Sequence, residues 1–293
     1  FYMGQSDENI QSDQSNFNRQ VTISAFYMDD TEITNDEYRQ FIQYIEDNPD
    51  YELPEGVTIE TLKPDTTVWS SDFTHHYGDP LLAYYWDHPR FDDYPVVGVS
   101  WESAKEFTRW RTFFLNSYRE EEGLYPYPSF RLPTEAEWEY ACRAGSDTPY
   151  SFEDKNQISD YAWYDENSDG KYHKVGEKKP NPWGLHDMHG NVSEWTLDQY
   201  KPTIYQRSDT QVSNPFENAT KLYPRVARGG SFMDRSYRLR SSARLASNKK
   251  WKKQDPQIPR SVWWHTDAQF LGFRVIRPYK TPTIQEQNKY WIK

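Results

Sequence analysis

Apolar residues at Val21, Ile23 and Ala25 alternate with polar ones, the two-residue period of a half-buried strand. The period then changes. Tyr38, Phe41, Ile42 and Ile45 recur at i, i+3, i+4 and i+7, which predicts an amphipathic helix starting at Thr34. Thr34 and Glu37 supply a capping box for it. Residues 46–95 show little periodicity and are rich in Pro, Asp, Tyr and Trp. They read as a long loop or insertion, too aromatic for a flexible linker. Val96, Val97 and Val99 predict a short buried strand, and Ser100 caps a helix with Ala104, Phe107, Trp110 and Phe114 on one side. "FRLPTEAEWEYACRAG" predicts another helix, with a capping box at Thr134 and Glu137, an acidic first turn and Gly145 as its stop. Beyond Gly145 the pattern gives short strand candidates and turns. With no internal repeat and no obvious hinge, residues 1–293 read as a single domain carrying an aromatic-rich insertion at about 46–95.

Composition explains how so little aliphatic periodicity makes a core. The hydrophobic fraction is 35% but the aromatic fraction is 17%, so rings replace aliphatic side chains. Against 45 acidic residues stand 34 Lys and Arg, a net charge of −11, which argues against a nucleic-acid partner. The single cysteine, Cys142, excludes an intrachain disulfide and is compatible with the cytosol or the periplasm. No apolar run approaches the roughly 18–20 residues of a membrane span. The opening "FYMG" reads as the middle of a strand and turn, as in a processed part of a longer precursor.

Several motifs occur in order: "FYMG", "DTEITNDEYRQF", "PVVGVSWESAKEFTRWR", "RLPTEAEWEYACRAG", "KPNPWGLHDMHGNVSEW", "RVARGGSF" and "LGFRV". Together they resemble the formylglycine-generating-enzyme, or sulfatase-modifying-factor, family. The resemblance implies an α+β, C-type-lectin-related fold with few helices and little regular secondary structure. It does not fix function, because the family includes copper-dependent oxidases that make formylglycine from cysteine, domains of iron-dependent sulfoxide synthases, and non-catalytic members.

By the resemblance, the oxidases hold copper with two cysteines just after "RGGS". Copper(I) is soft and needs thiolates. Here the segment reads "RGGSFMDRSYRLRSSAR", with Asp234 at the first cysteine's place and no cysteine near the second. No copper is expected, and Cys142 reads as an inert core thiol. The seven histidines are His75, His76, His88, His173, His186, His189 and His265. None forms a metal-binding pair on a predicted regular element, although His186 and His189 are spaced to meet on a turn. A degenerate active-site region is expected around Asp234, Arg235, Arg244 and His265, with Arg238 and Arg240 nearby. Arg228 and Arg244 read as framework residues holding carboxylates and carbonyls.

"GLHDMHGNVSEW" resembles the family segment that wraps a structural calcium. The implied ligands are the side chains of Asp187 and Glu194 and the carbonyls of Gly190 and Val192. Calcium takes six to eight hard oxygens, and the spacing 190, 192, 194 sends alternate groups one way along an extended segment. The competing reading is that both carboxylates only accept local hydrogen bonds. "DENSDG" (165–170) mimics the first half of an EF-hand loop, but its twelfth position is Gly176, so a solvated Asx-rich turn is the better reading. The family's other calcium site has Trp163 at its asparagine position. The basic cluster "NKKWKK" (248–253) reads as a solvated loop.

The stretch from Leu62 to Trp101 looks like an insertion of the gliding-motility lipoproteins, above all the ring subunit of the type IX secretion system. The C-terminal third looks more like stand-alone family members. The first branch implies a non-catalytic scaffold lipoprotein on the periplasmic face of the outer membrane. It would be held by an N-terminal lipid anchor outside this sequence and assembled with envelope subunits into a large ring or secretion complex. Its partner surfaces would be the aromatic loops 46–95 and 245–265. The alternatives are a metal-dependent oxidase or small-ligand binder with an altered site, and a carbohydrate-binding module stacking sugars on Trp263 and Trp264.

Overall fold

The computed structural model describes residues 1–4, 18–66, 68, 84–202, 204, 211–248, 251 and 269–280. Capping sets where its helices begin. Thr34 accepts from the Glu37 amide while the Glu37 carboxylate accepts from the Thr34 amide, and helix α1 runs Asn35–Asp47. Its buried face is the predicted Tyr38, Phe41, Ile42 and Ile45, joined by Asn35. A short helix α2 spans Ile59–Leu62. Helix α3, Trp101–Glu121, is capped by Ser100 and extends beyond its apolar stripe, so Phe113, Phe114 and Tyr118 are exposed. Helix α4, Glu135–Arg143, carries the capping box at Thr134 and stops at left-handed Ala144 and Gly145. Helix α5 is a single turn, Ile158–Tyr161.

Three small sheets complete the frame. Strand β2 (Arg19–Thr22) pairs antiparallel with β1 (Tyr2–Met3) and parallel with β5 (Gln211–Ser213). Strand β3 (Phe26–Met28) pairs antiparallel with β9 (Ile276–Pro278). The central sheet has the order β7-β6-β4-β8, built from Leu245–Ala246, Arg225–Arg228, Ser193–Gln199 and Leu271–Gly272. Its β6 is buried throughout and β4 almost so, as a sheet covered on both faces requires.

Two expected strands differ. The alternation at 21–25 breaks after Thr22: Val21 is buried, but Ile23 is half-buried and Ala25 exposed. Residues 96–99 are buried but form no strand. The Val96 amide donates to the Ile33 carbonyl, and only Pro95 bridges, to Thr34. A run of valines signals burial without settling what its backbone pairs with.

The core is aromatic, as the composition implied. Tyr38 stacks on Phe107 at 5.6 Å, and Phe107 meets Phe273 edge-on at 5.4 Å. The insertion contributes to this core. Tyr85 and Phe91 are buried, and the Asn35 amide group donates to both of their carbonyls, at 3.1 and 3.0 Å. Tyr85 and Phe91 therefore help hold the fold together, whereas Tyr84 is exposed. Among the described residues no helix is long and apolar enough to cross a membrane.

Candidate functional site: a buried charge cluster beneath the Gly-rich turn

The turn that feeds β4 is built from left-handed residues. Asp187, Gly190 and Asn191 have φ of 57°, 101° and 54°. At Gly190 a Cβ would lie 2.2 Å from the Trp163 carbonyl oxygen, so only glycine fits. The Asn191 side chain accepts from the His173 amide at 3.1 Å, which pins the turn to the preceding loop. From there Ser193 and Glu194 enter the central sheet beside Leu271 and Gly272. That register brings Arg274, two residues past β8, to Glu194.

The Glu194 carboxylate accepts three hydrogen bonds. Arg274 donates through Nε and Nη2 to its two oxygens, both at 2.8 Å, and Trp138 Nε1 donates to Oε2 at 2.8 Å. Both side chains of the pair are completely buried. The same guanidinium donates to the carbonyls of Asp29, Asp30 and His186. Burial works against the charge of Arg274, but Glu194 outweighs it and holds the pKa above the usual guanidinium value.

Two more carboxyls face this cation. Asp187 accepts from the Gly176 amide through Oδ2 at 2.7 Å, but no donor reaches its buried Oδ1. Among the described residues no donor meets either buried oxygen of Glu32. Burial, and then Asp187, push the Glu32 carboxyl well above the usual range, against the pull of Arg274. Burial also raises Asp187, with the Gly176 amide opposing. Three carboxyls around one guanidinium leave excess negative charge in a dry place, which a shared proton or a further cation would relieve.

The calcium expectation can be set against these atoms. The amides of Gly190, Asn191 and Ser193 donate to Gly229, Trp163 and Phe270, whereas no described donor reaches the carbonyls of Gly190 or Val192. Asp187 Oδ1 and those two carbonyls are hard oxygens of the kind calcium takes. Arg274 and Trp138 take three of the roughly four acceptor positions of the Glu194 carboxylate, so its side chain has little left to offer a cation. No group of three His, Cys, Asp or Glu side chains is arranged to hold a metal among the described residues.

Among the described residues, Asp234, Arg235 and Arg244 of the expected degenerate active site do not converge. Asp234 Oδ2 accepts from the Ser231 amide and hydroxyl, at 2.9 and 2.8 Å, so it braces the Gly-Gly-Ser loop. Arg235 is exposed and lies 3.9 Å from Asp165. Arg244 spends its guanidinium on Glu135, at 2.5 and 2.9 Å, and is not directed at Asp234. His265, with His75, His76, Trp263 and Trp264, lies outside the described residues. Arg228 and Arg244 do act as framework. Arg228 pairs with Glu139 and donates to the Ala243 carbonyl at 2.7 Å.

Cys142 is buried in a core of Trp138, Leu185 and Met188, and burial pushes its thiol up to about 12. It is no thiolate at neutral pH. His186 and His189 do not meet. His186 Nδ1 contacts the Lys178 carbonyl at 2.8 Å. Buried His189 contacts the Leu239 carbonyl and accepts from the Ser151 amide, and burial holds it down to about 4. In "DENSDG", Asn167 accepts from the Tyr164 amide and donates to the Ala162 carbonyl, which ties the turn back to the residues before it. Trp163, at the asparagine position of the family's other calcium site, stacks on His173 at 3.6 Å with Lys178 over its ring at 3.7 Å.

Two clefts lie elsewhere. One of about 480 Å³ is lined by residues 23–28, Tyr140, Trp183 and Leu185, and one of about 220 Å³ by Tyr27, Tyr127, Phe130 and Arg277. Neither includes Asp234. Sequence reasoning missed Glu32 and Arg274 as members of the charge cluster. Both lie in motifs already noted, "DTEIT" and "GFRV", but nothing local signals that residues so far apart in the chain share one buried site.

Comparison with known proteins agrees with this frame. Residues 1–278 match the model of the sulfatase-modifying factor enzyme 1-like domain. A formylglycine-generating enzyme of Mus musculus is 30% identical over 279 residues, covering 83% of this chain and 68% of that protein. An inactive C-alpha-formylglycine-generating enzyme 2 of Bos taurus is 27% identical, covering 74% and 68%. Among solved structures, PvdO from Pseudomonas aeruginosa superposes with a TM-score of 0.60 at 23% identity, covering 95% of this chain and 91% of that one. Treponema denticola variable protein 1 gives 0.61 at 21%, covering 95% and 92%, and both show the same fold.

Proposed function

We propose that this chain, which belongs to the sulfatase-modifying-factor family, is one of its non-catalytic members and works as a scaffold. The observation that carries this reading is the state of its one thiol. Copper(I) oxidation needs a pair of thiolates, and Cys142 is single, buried and held protonated. At the place of the first copper cysteine, Asp234 is occupied in bracing its own loop. The inactive relative is consistent with loss of chemistry on an intact frame.

The finer reading is an envelope lipoprotein of the type IX secretion or gliding-motility machinery, assembled with partner subunits at the periplasmic face of the outer membrane. Its support is the resemblance of Leu62–Trp101 to the ring-subunit insertion, and an exposed aromatic face on α3 at Phe113, Phe114 and Tyr118. A structural calcium belongs to the same reading, held by Asp187 Oδ1 and the carbonyls of Gly190 and Val192. Size-exclusion of the protein extracted gently from its native cells, with mass spectrometry of what co-elutes, tests the scaffold. A large particle with envelope proteins is expected. A free monomer carrying stoichiometric copper or iron would overturn the reading.

A further inference from the structure

Four buried arginine side chains come with carboxylates, and a fifth, Arg240, donates to the Tyr237 carbonyl. Arg143 and Arg228 pair with Glu139, Arg244 with Glu135 and Arg274 with Glu194. Arg225 differs. It is 6% exposed, and its Nε and Nη1 are buried with no acceptor among the described residues. A guanidinium removed from water without a partner is costly, and the cost falls when an anion supplies the missing acceptors.

The surroundings are built to hold that guanidinium still. Arg225 opens β6 opposite Gln199. Its backbone is clamped by Ser247, whose hydroxyl accepts from the Arg225 amide at 2.7 Å and whose amide donates to the Arg225 carbonyl at 2.8 Å. The guanidinium lies 3.7 Å over the ring of Trp101, and that ring is fixed by Nε1 donating to the Thr196 carbonyl at 2.7 Å. Lys105, one helical turn on and exposed, brings its ammonium 4.7 Å from the same ring. Trp101 is the first residue of the 21-residue helix α3, whose N-terminus adds positive potential. Burial lowers the proton affinity of Arg225, and Glu102 opposes this at a distance without a hydrogen bond to it.

We propose that Arg225, stacked on Trp101 with Lys105 over the same ring, is an oxyanion site for a carboxylate, either a small organic acid or an acidic side chain presented by a partner. The charge balance favours a carboxylate over phosphate, because the nearby Glu102 penalises a dianion more than a monoanion. The planar guanidinium, fixed on an aromatic face, also matches the planar carboxylate fork. This assignment is independent of whether the chain is a scaffold.

The test follows the Arg225 Nε–H resonance by NMR in the full chain at constant ionic strength, with sodium acetate, a capped glutamate peptide and inorganic phosphate as separate probes. A saturable shift with acetate is expected, weakened at least about tenfold by Lys105→Ala, an exposed change that leaves the fold intact. Arg225→Gln should abolish acetate-dependent stabilisation, and the wild-type titration stands even where that variant fails to fold. A shift with the glutamate peptide as well assigns the site to a partner's side chain; acetate alone assigns it to a free acid. No saturable shift, or tighter binding of phosphate than of acetate, overturns the proposal.

Discussion

Arg274 and Glu194 form a two-point ion pair, Nε to Oε2 and Nη2 to Oε1, both at 2.8 Å, with no solvent contact on either side. The pair ties the end of the chain's last described strands to the Gly-rich turn. Through Trp138 it also ties both to α4. Breaking it leaves a buried charge without a partner. Glu194→Gln or Arg274→Met should each cost about 3–5 kcal/mol in chemical denaturation. A loss below about 1 kcal/mol would mean that the pair is not the fold's central tie.

Asp198 gives a signed pH effect. Its carboxylate accepts from the Glu135 and Glu217 amides, and burial, with Glu135 adding, pushes it up to about 7. The unfolded chain loses this proton near pH 4. Between those values only the folded form keeps the proton, so Asp198 makes stability fall as pH rises. His189 acts oppositely. Held at about 4, it stays neutral while the unfolded chain gains a proton below about pH 6.5, so its effect is loss of stability as pH falls. Asp198→Asn removes only the first effect. Relative to wild type, the variant should gain roughly 2–4 kcal/mol between pH 4 and 7.5. A difference that stays constant across that window would contradict the assignment.

The proposed calcium predicts a mass-action effect. Adding calcium to EDTA-treated protein should raise the melting temperature, by about 2.7 kcal/mol of stability at a hundredfold excess over Kd. Asp187→Asn should reduce the effect, and magnesium should not reproduce it. An unchanged melting temperature would leave a shared proton on Glu32 and Asp187 as the answer to their excess charge.

Asp234 is predicted to be structural. Asp234→Ala removes the acceptor for the Ser231 amide and hydroxyl and should cost about 1 kcal/mol without changing ligand binding elsewhere. Asp234→Cys restores one thiol but gives no second thiolate, so it should not create tight copper(I) binding.

Legibility in the sequence followed the range of the interactions. The capping boxes at Thr34 and Thr134 span three residues, and both helices begin where expected. The stretch from Asp187 to Glu194 stood out in sequence, and its start is a turn with Asp187, Gly190 and Asn191 left-handed. What faces that turn was not legible, because Glu32 and Arg274 arrive from opposite ends of the chain through the sheet register. Arg244 was read as near Asp234 from its place in the chain, but it turns to Glu135 on α4. Within the insertion composition could not sort its rings, because exposed and buried aromatics look alike in sequence: Tyr85 and Phe91 are core and Tyr84 is exposed.

The most direct test of the central claim is an oxidase assay. The purified protein would be loaded with copper(I), incubated aerobically with a cysteine-containing sulfatase-type peptide and a thiol reductant, and followed by mass spectrometry. The account predicts no tight copper and no conversion of the peptide cysteine. Stoichiometric copper with turnover to formylglycine would contradict it, and would require a ligand set other than the one buried thiol of Cys142.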